Sequence, residues 1–244
     1  MVSSFARPED SALTAPLRIL SNRFATPTSR IVRLALDDVA LSYRAGQAAL
    51  LAAVPDGEFT PYSFASSPEE TSRLGWIEFL VKVDGSTRFG ARVTTLGRGD
   101  LVKLSGPLGS FVLPEHPAAS TFLFVAGGTG IAPLRSMIRH ALGTGTGGTI
   151  HLLYSARSPR EFAYLTELRA LAREGALDLR LTLTGEGPRW SHARGRIDAV
   201  HLAPLIHVPD TLAFVCGPPA MLSGVTDALT ELGLGRDHIR TETW

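Results

Sequence analysis

Val125-Ala126-Gly127-Gly128-Thr129-Gly130-Ile131-Ala132-Pro133 joins an apolar run, residues 121–126, to a stretch of helical pattern, residues 132–141. Three glycines permit a tight turn and let a ligand approach the backbone. A helix that begins here offers free N–H groups and the positive end of its dipole, which suits a phosphate. Pro133 fits the first helical turn, where a missing N–H costs little. The stretch is neither GxGxxG nor a Walker loop, so two readings stand side by side: a phosphate cradle, or a turn that only packs strand to helix. Downstream, strand-like runs at 149–155, 177–183, 211–216 and 238–243 alternate with helical patterns at 161–173 and 220–232. Leu165, Leu168 and Leu171 mark the apolar face of the first of these helices. Such alternation predicts a parallel sheet in an α/β domain.

Upstream the period changes. Short apolar runs at 31–36, 48–53, 77–83 and 101–104 are separated by turn signals: Ala45-Gly46, Pro55-Asp56-Gly57, Asp84-Gly85 and Arg98-Gly99-Asp100. Strands of this length and spacing predict a small antiparallel β-barrel. The expected organisation is therefore β plus α/β. A flexible N-terminus covers 1–14, a barrel domain 15–116 and an α/β domain 117–244, with a hinge inside 114–120. The Gly/Thr stretch 143–148 reads as a loop.

Composition narrows the function classes. With 244 residues and a 44% hydrophobic share, the chain can bury a sizeable core. A net charge of +1 argues against nucleic acid held by a general field. The single cysteine, Cys216, excludes a disulfide framework within the chain, a cysteine-ligated iron–sulfur cluster and a Cys-rich zinc site. No metal is expected, and electron chemistry would need an organic cofactor. Arg7, Glu9 and Asp10 make the first residues unlike a signal peptide. The longest uncharged apolar stretch, 121–134, is too short to span a bilayer. The expectation is a soluble protein of the cytoplasm, without a membrane span.

Set beside four other segments, the glycine turn resembles the nicotinamide-nucleotide motif of the ferredoxin–NADP reductase family. Tyr62-Ser63, within Thr60-Pro61-Tyr62-Ser63-Phe64, resembles the family's flavin motif. Gly85-Ser86-Thr87, Gly106-Pro107-Leu108-Gly109-Ser110-Phe111 and Cys216-Gly217-Pro218-Pro219-Ala220-Met221 follow at the family's places. The resemblance spans roughly residues 17–244 and implies bound FAD and NAD(P)H. On the flavin side it implicates Thr60, Pro61, Tyr62, Ser63, Val81, Lys82, Thr87 and Arg88. On the nucleotide side it implicates Gly128, Thr129, Gly130, Pro133, Arg157, Gly217, Pro218 and Met221.

The family's flavin motif begins with arginine, which forks onto the FAD pyrophosphate; here that place holds Thr60. Thr87, neighbouring backbone N–H groups and Arg88 are the expected replacements. Tyr62 is expected to pack on the flavin, with the Ser63 hydroxyl near its N5. Catalytic roles are implied for Ser63, Cys216, Glu242 and Trp244. Cys216 is expected to pack beside the nicotinamide, Glu242 to supply protons, and the terminal Trp244 to cover the isoalloxazine face and move aside for nicotinamide. Plainer readings exist: a half-buried strand aromatic for Tyr62, a small core hydrophobe for Cys216, a solvated charge for Glu242.

The crevice at the carboxyl ends of the parallel strands is the expected ligand site, facing the barrel. Arg157, with Arg189 and Arg194, is a candidate for the adenosine end; as surface charges they would have no such role. The implied activity is an FAD-dependent reductase. It moves electrons between NAD(P)H and a separate one-electron carrier, ferredoxin or flavodoxin, including one that feeds an oxygenase, by hydride transfer to flavin N5. The alternatives are an electron-transfer subunit of a larger oxidoreductase, and a nucleotide-sensing module that has lost flavin along with the arginine.

Overall fold

A 14-residue strand, β1 (Leu13–Thr26), opens the computed structural model, which describes residues 13–55, 57–115, 119–146, 148–185 and 190–243. The chain folds as two compact units. The first takes residues 1–113 and 135–140, the second 114–134 and 141–244. The expected flexible N-terminus lies almost wholly outside the described residues, as do Trp244 and Arg189.

In the first unit β1 is followed by β2 (Ser29–Ala35), β3 (Ala48–Ala53), β4 (Thr60–Ser63), helix α1 (Pro68–Leu74), β5 (Trp76–Lys82), α2 (Arg88–Val93) and β6 (Leu101–Leu108). The antiparallel order is β4-β3-β6-β1-β2-β5. β1 serves two neighbours. Its first half pairs with β6 from Leu13↔Gly106 to Arg18↔Leu101, and after a bulge near Ile19 its second half pairs with β2. A single bridge, Phe64↔Phe79, links the ends of the sheet and nearly closes a barrel. Buried Ala15, Leu17 and Ile19 alternate with exposed Thr14, Pro16 and Arg18, the period of a sheet with one wet face. Phe64 and Phe79 are fully buried, and Tyr43 stacks on Phe64 at 4.1 Å. Burying one such ring contributes about 1.5–3 kcal/mol.

The second unit contains β7 (Thr121–Gly127), α3 (Ile131–Thr144), β8 (Thr149–Ala156), α4 (Leu165–Arg173), β9 (Asp178–Leu183), β10 (Ala193–Arg194), α5 (Ala199–Leu202), β11 (Thr211–Gly217), α6 (Pro219–Glu231) and β12 (Ile239–Thr243). All its strands pair in parallel, in the order β10-β9-β8-β7-β11-β12. From β7 the chain steps outward through β8 and β9, then returns to the other side of β7 as β11. The strand order reverses at β7, and outside the carboxyl end of such a switch strand is where an open α/β sheet takes its ligand. Every residue of β7 and of β11 is buried, which explains their unbroken apolar runs.

Sequence expectations match β7, β8, β9, β11 and β12 to within a residue or two, whereas the two-residue edge strand β10 is not among them. The helix expected from 161 starts later. Pro159–Glu161 is a 3-10 turn, Tyr164 is left-handed at φ 59°, and α4 begins at Leu165. Among the described residues no helix is long and apolar enough to cross a membrane. Nor does any group of three His, Cys, Asp or Glu stand close enough to hold a metal.

Candidate functional site

The carboxyl end of β7 runs into the 3-10 turn Gly128–Gly130 and then α3. The three glycines do different work. Gly128 has φ 56°, a left-handed conformation that costs glycine little. Gly130 has ordinary helical torsions, but a Cβ there would press on the Cys216 carbonyl oxygen, with its carbon at 2.6 Å. A Cβ at Gly127 would lie 2.6 Å from Met221 Sδ and 3.0 Å from Pro218 Cδ. The turn therefore packs tightly onto the end of β11, where Cys216 pairs with Ala126. Gly128 is exposed and Thr129 half-buried, whereas Pro133 is buried. The first N–H groups of a 14-residue helix face the switch point, a fit for phosphate.

Across the switch point, β11 ends at Gly217 and the exposed Pro218 caps α6. Cys216 is fully buried, the setting of a packing thiol. Register pairs Cys216 with Glu242 and Gly217 with Thr243, which brings half-buried Glu242 to the same end of the sheet. Arg157 follows β8 and is exposed; its carbonyl closes on the backbone of Gly185, and the Arg194 guanidinium donates to Gly185 O at 3.4 Å. These two arginines thus flank one loop, while Arg189 and Trp244 lie outside the described residues.

In the first unit the flavin-motif residues form β4, paired with β3 as Ala48↔Ser63 and Ala49↔Tyr62. Thr60 and Pro61 are half-buried, Ser63 buried. Tyr62 is 6% exposed, its ring tilted against Phe89 at 5.6 Å. Its hydroxyl shares a 2.7 Å hydrogen bond with Thr87 Oγ1. Burial, with the charge of Asp84, pushes the Tyr62 hydroxyl above its ordinary pKa, so it stays protonated at neutral pH. Thr87 also caps α2 by accepting from Gly90 N–H at 2.9 Å. A Cβ at Gly90 would press on the Lys82 carbonyl, so α2 sits directly against the end of β5.

Val81 is buried in that strand; Lys82 is exposed and pairs with Asp84 at 2.6 Å. The Lys82 side chain and then the Ser86 side chain and N–H hold Asp84 down to about 2. Arg88 is exposed and pairs with Glu58 at 2.7 Å. An exposed pair of this kind is weak and leaves the guanidinium available to a phosphate. Thr60, Tyr62, Ser63 and Thr87 offer hydroxyls suited to a flavin's polar edge and phosphates, with Arg88 as the nearby cation.

Sequence reasoning passed over Tyr154, whose hydroxyl bonds Gly128 O at 2.9 Å, and Glu58, the partner of Arg88. No local pattern announces either, because both contacts join segments about 25–30 residues apart in the chain.

Comparison with known proteins supplies the family. Residues 16–113 match the oxidoreductase FAD-binding domain family, and residues 124–227 the oxidoreductase NAD-binding domain family. Ferredoxin–NADP reductase B of Sorangium cellulosum is 35% identical over 220 residues, covering 85% of this chain and 88% of that protein. The ferredoxin–NAD(P)(+) reductase component of a naphthalene 1,2-dioxygenase system of Pseudomonas putida is 30% identical over 241 residues, 96% of this chain and 72% of its own length. A ferredoxin NADP+ reductase from Neisseria gonorrhoeae, solved with bound FAD and NADP, has the same fold. Its TM-score is 0.81 at 20% identity, covering 96% of this chain and 99% of that one. With an FAD-binding domain ahead of an NAD-binding domain, and a relative this similar over most of its length, the chain belongs to the ferredoxin–NADP reductase family of flavoprotein oxidoreductases.

Proposed function

We propose that this protein is an FAD-dependent reductase that passes electrons between NAD(P)H and a separate one-electron carrier of the ferredoxin or flavodoxin type. The observation that carries this reading is the glycine turn at the switch point of the second unit, in a chain whose first unit holds the flavin-motif strand β4. Bound FAD supplies the conversion between a two-electron donor and a one-electron acceptor. The chain's own residues bind and orient.

In this reading the N–H groups of Thr129 and Gly130 take the NAD(P)H pyrophosphate. Gly217, Pro218 and Met221 shape the opposite wall, and Arg157 serves the adenosine end. Tyr62 packs on the flavin, Ser63 and Thr60 donate hydrogen bonds, and Val81 and Lys82 border it. Thr87 and Arg88 replace the family arginine at the FAD pyrophosphate. Cys216 packs at the nicotinamide end and Glu242 holds a proton for exchange with the site. Trp244 shields the flavin face.

The carrier is proposed to be a small ferredoxin serving an oxygenase, by analogy with the Pseudomonas relative named for such a system. The cytoplasm is the proposed compartment, in keeping with a buried free thiol.

The test is direct. Protein purified with FAD should be yellow, and NADH or NADPH should bleach its flavin bands anaerobically. Added ferredoxin should then restore them. Protein that takes up no FAD, or that stays oxidised with both nucleotides, overturns the proposal.

A further inference from the structure

Tyr154 lies in β8 with no solvent exposure. A buried phenol needs partners for its hydroxyl. It has two: it donates to Gly128 O at 2.9 Å and accepts from Ala163 N–H at 3.2 Å. The ring is held in place as well. Phe162 meets it edge-on at 5.0 Å and 80°, and Trp190 stacks on Phe162 at 5.8 Å and 12°. So the hydroxyl cannot swing away from the glycine turn without breaking a packed row of rings.

What it grips is the peptide that matters for phosphate. Gly128 and Thr129 share a planar trans peptide, so the carbonyl of one and the N–H of the other point in opposite directions. The carbonyl is drawn inward by Tyr154 and by the Ile131 N–H. The Thr129 N–H is therefore aimed the other way, away from these partners, and Gly128 beside it is exposed. Glycine at φ 56° has few torsional restraints of its own, so this peptide depends on its partners to hold its orientation.

We infer that Tyr154 is a positioning residue for the dinucleotide pyrophosphate: its hydroxyl fixes the Gly128–Thr129 peptide so that the Thr129 N–H is presented to the phosphate. This rests on the proposed binding of NAD(P)H at the turn. The residue touches neither cofactor nor reacting atoms, so its effect belongs to nucleotide affinity alone.

The experiment compares FAD-loaded wild type with Tyr154→Phe, which keeps the ring and its contact with Phe162. Ferricyanide serves as the one-electron acceptor, and ADP-ribose, which carries the pyrophosphate without nicotinamide, is titrated by calorimetry. The expected result is a KM for NAD(P)H and a Kd for ADP-ribose that both rise about tenfold, the scale of one lost hydrogen bond to a buried group. Turnover at saturation and FAD content should stay within about twofold, as expected for lost uniform binding. Tyr154→Met keeps bulk without the hydroxyl and should give the same split if the phenylalanine variant does not fold. Unchanged KM and Kd overturn the role, as does a fall in melting temperature, FAD content and turnover with KM intact, the mark of mere packing. Failure of the functional reading looks different: wild type itself then oxidises neither NADH nor NADPH. In that event ADP-ribose binding that is lost in the variants still upholds Tyr154.

Discussion

Replacing Gly130 by alanine sets two effects of opposite sign against each other. Gly130 has φ −60° and ψ −8°, torsions that alanine adopts readily. The smaller conformational freedom of the unfolded chain alone would make Gly130→Ala more stable by about 0.4–1 kcal/mol. The space says otherwise. The new Cβ would press on the carbonyl oxygen of Cys216, lie 2.6 Å from its carbon and lie 3.0 Å from Gly217 N. These are backbone atoms of a buried strand paired on both sides, so no side chain can swing away. Overpacking costs about 1–3 kcal/mol, and contact this close to fixed backbone puts it in the upper part, about 2–3, which outweighs that gain. At about 2–4 °C per kcal/mol for a chain of this size, a net loss of about 1–2.6 kcal/mol should lower Tm by roughly 2–10 °C.

Gly128 provides the control. Nothing lies within 4 Å of a Cβ there, but φ is 56°. Gly128→Ala should cost about 1–2 kcal/mol through torsion alone, and Gly128→Asn less, because asparagine tolerates the left-handed region. At Gly130 the order reverses, since a larger side chain worsens the clash. Thermal and urea melts of the four variants measure all of this. A Gly130→Ala protein as stable as wild type, or more so, would refute the packing argument.

Other outcomes follow from the same geometry. Arg88→Ala should leave stability within about 0.5 kcal/mol, because its pair with Glu58 is exposed, yet weaken FAD in a titration; unchanged FAD affinity rejects its phosphate role. Asp84, depressed to about 2 from 3.8, contributes stability that is present above pH 3.8 and lost as pH falls through about 2. Exposure and salt keep that contribution to a few tenths of a kcal/mol, about 0.5 at most. Asp84→Asn should therefore be slightly less stable than wild type in denaturant melts at pH 6 and equal to it near pH 2, and a gap that persists in acid would count against the pairing. Deleting Trp244 should tighten NAD(P)H binding and alter the preference between NADH and NADPH in steady-state kinetics; a truncation that changes neither removes the shielding role.

The parallel sheet was readable because its signals are local. Each buried strand is a short apolar run, and each connecting helix has its own period. The barrel was less so. In β1, Leu13–Thr26, one face is wet and Pro16 and Asn22 interrupt the apolar pattern, so its alternation does not stand out from a loop. Helix α1 was legible in principle, since Ser67-Pro68-Glu69-Glu70 forms a capping box with proline at the first turn, but at seven residues it is too short to show a period. For the site, motif order located the turn, β4 and the β11–α6 junction. It could not show that Thr87, a local cap of α2, also bonds Tyr62, or that Tyr154 reaches Gly128, because both contacts join segments about 25 residues apart.

The double role of β1 also sets a timetable. Its first half finds its partner only in β6, roughly 90 residues later in the chain. At about 5–20 residues per second, a ribosome needs on the order of 5–20 s to deliver that partner. Until then the N-terminal edge has no neighbour, and the barrel cannot shut. Loss-of-function changes in β6, from Leu101 to Leu108, should thus act during synthesis, by prolonging the interval in which a nascent chain is open to chaperones and proteases.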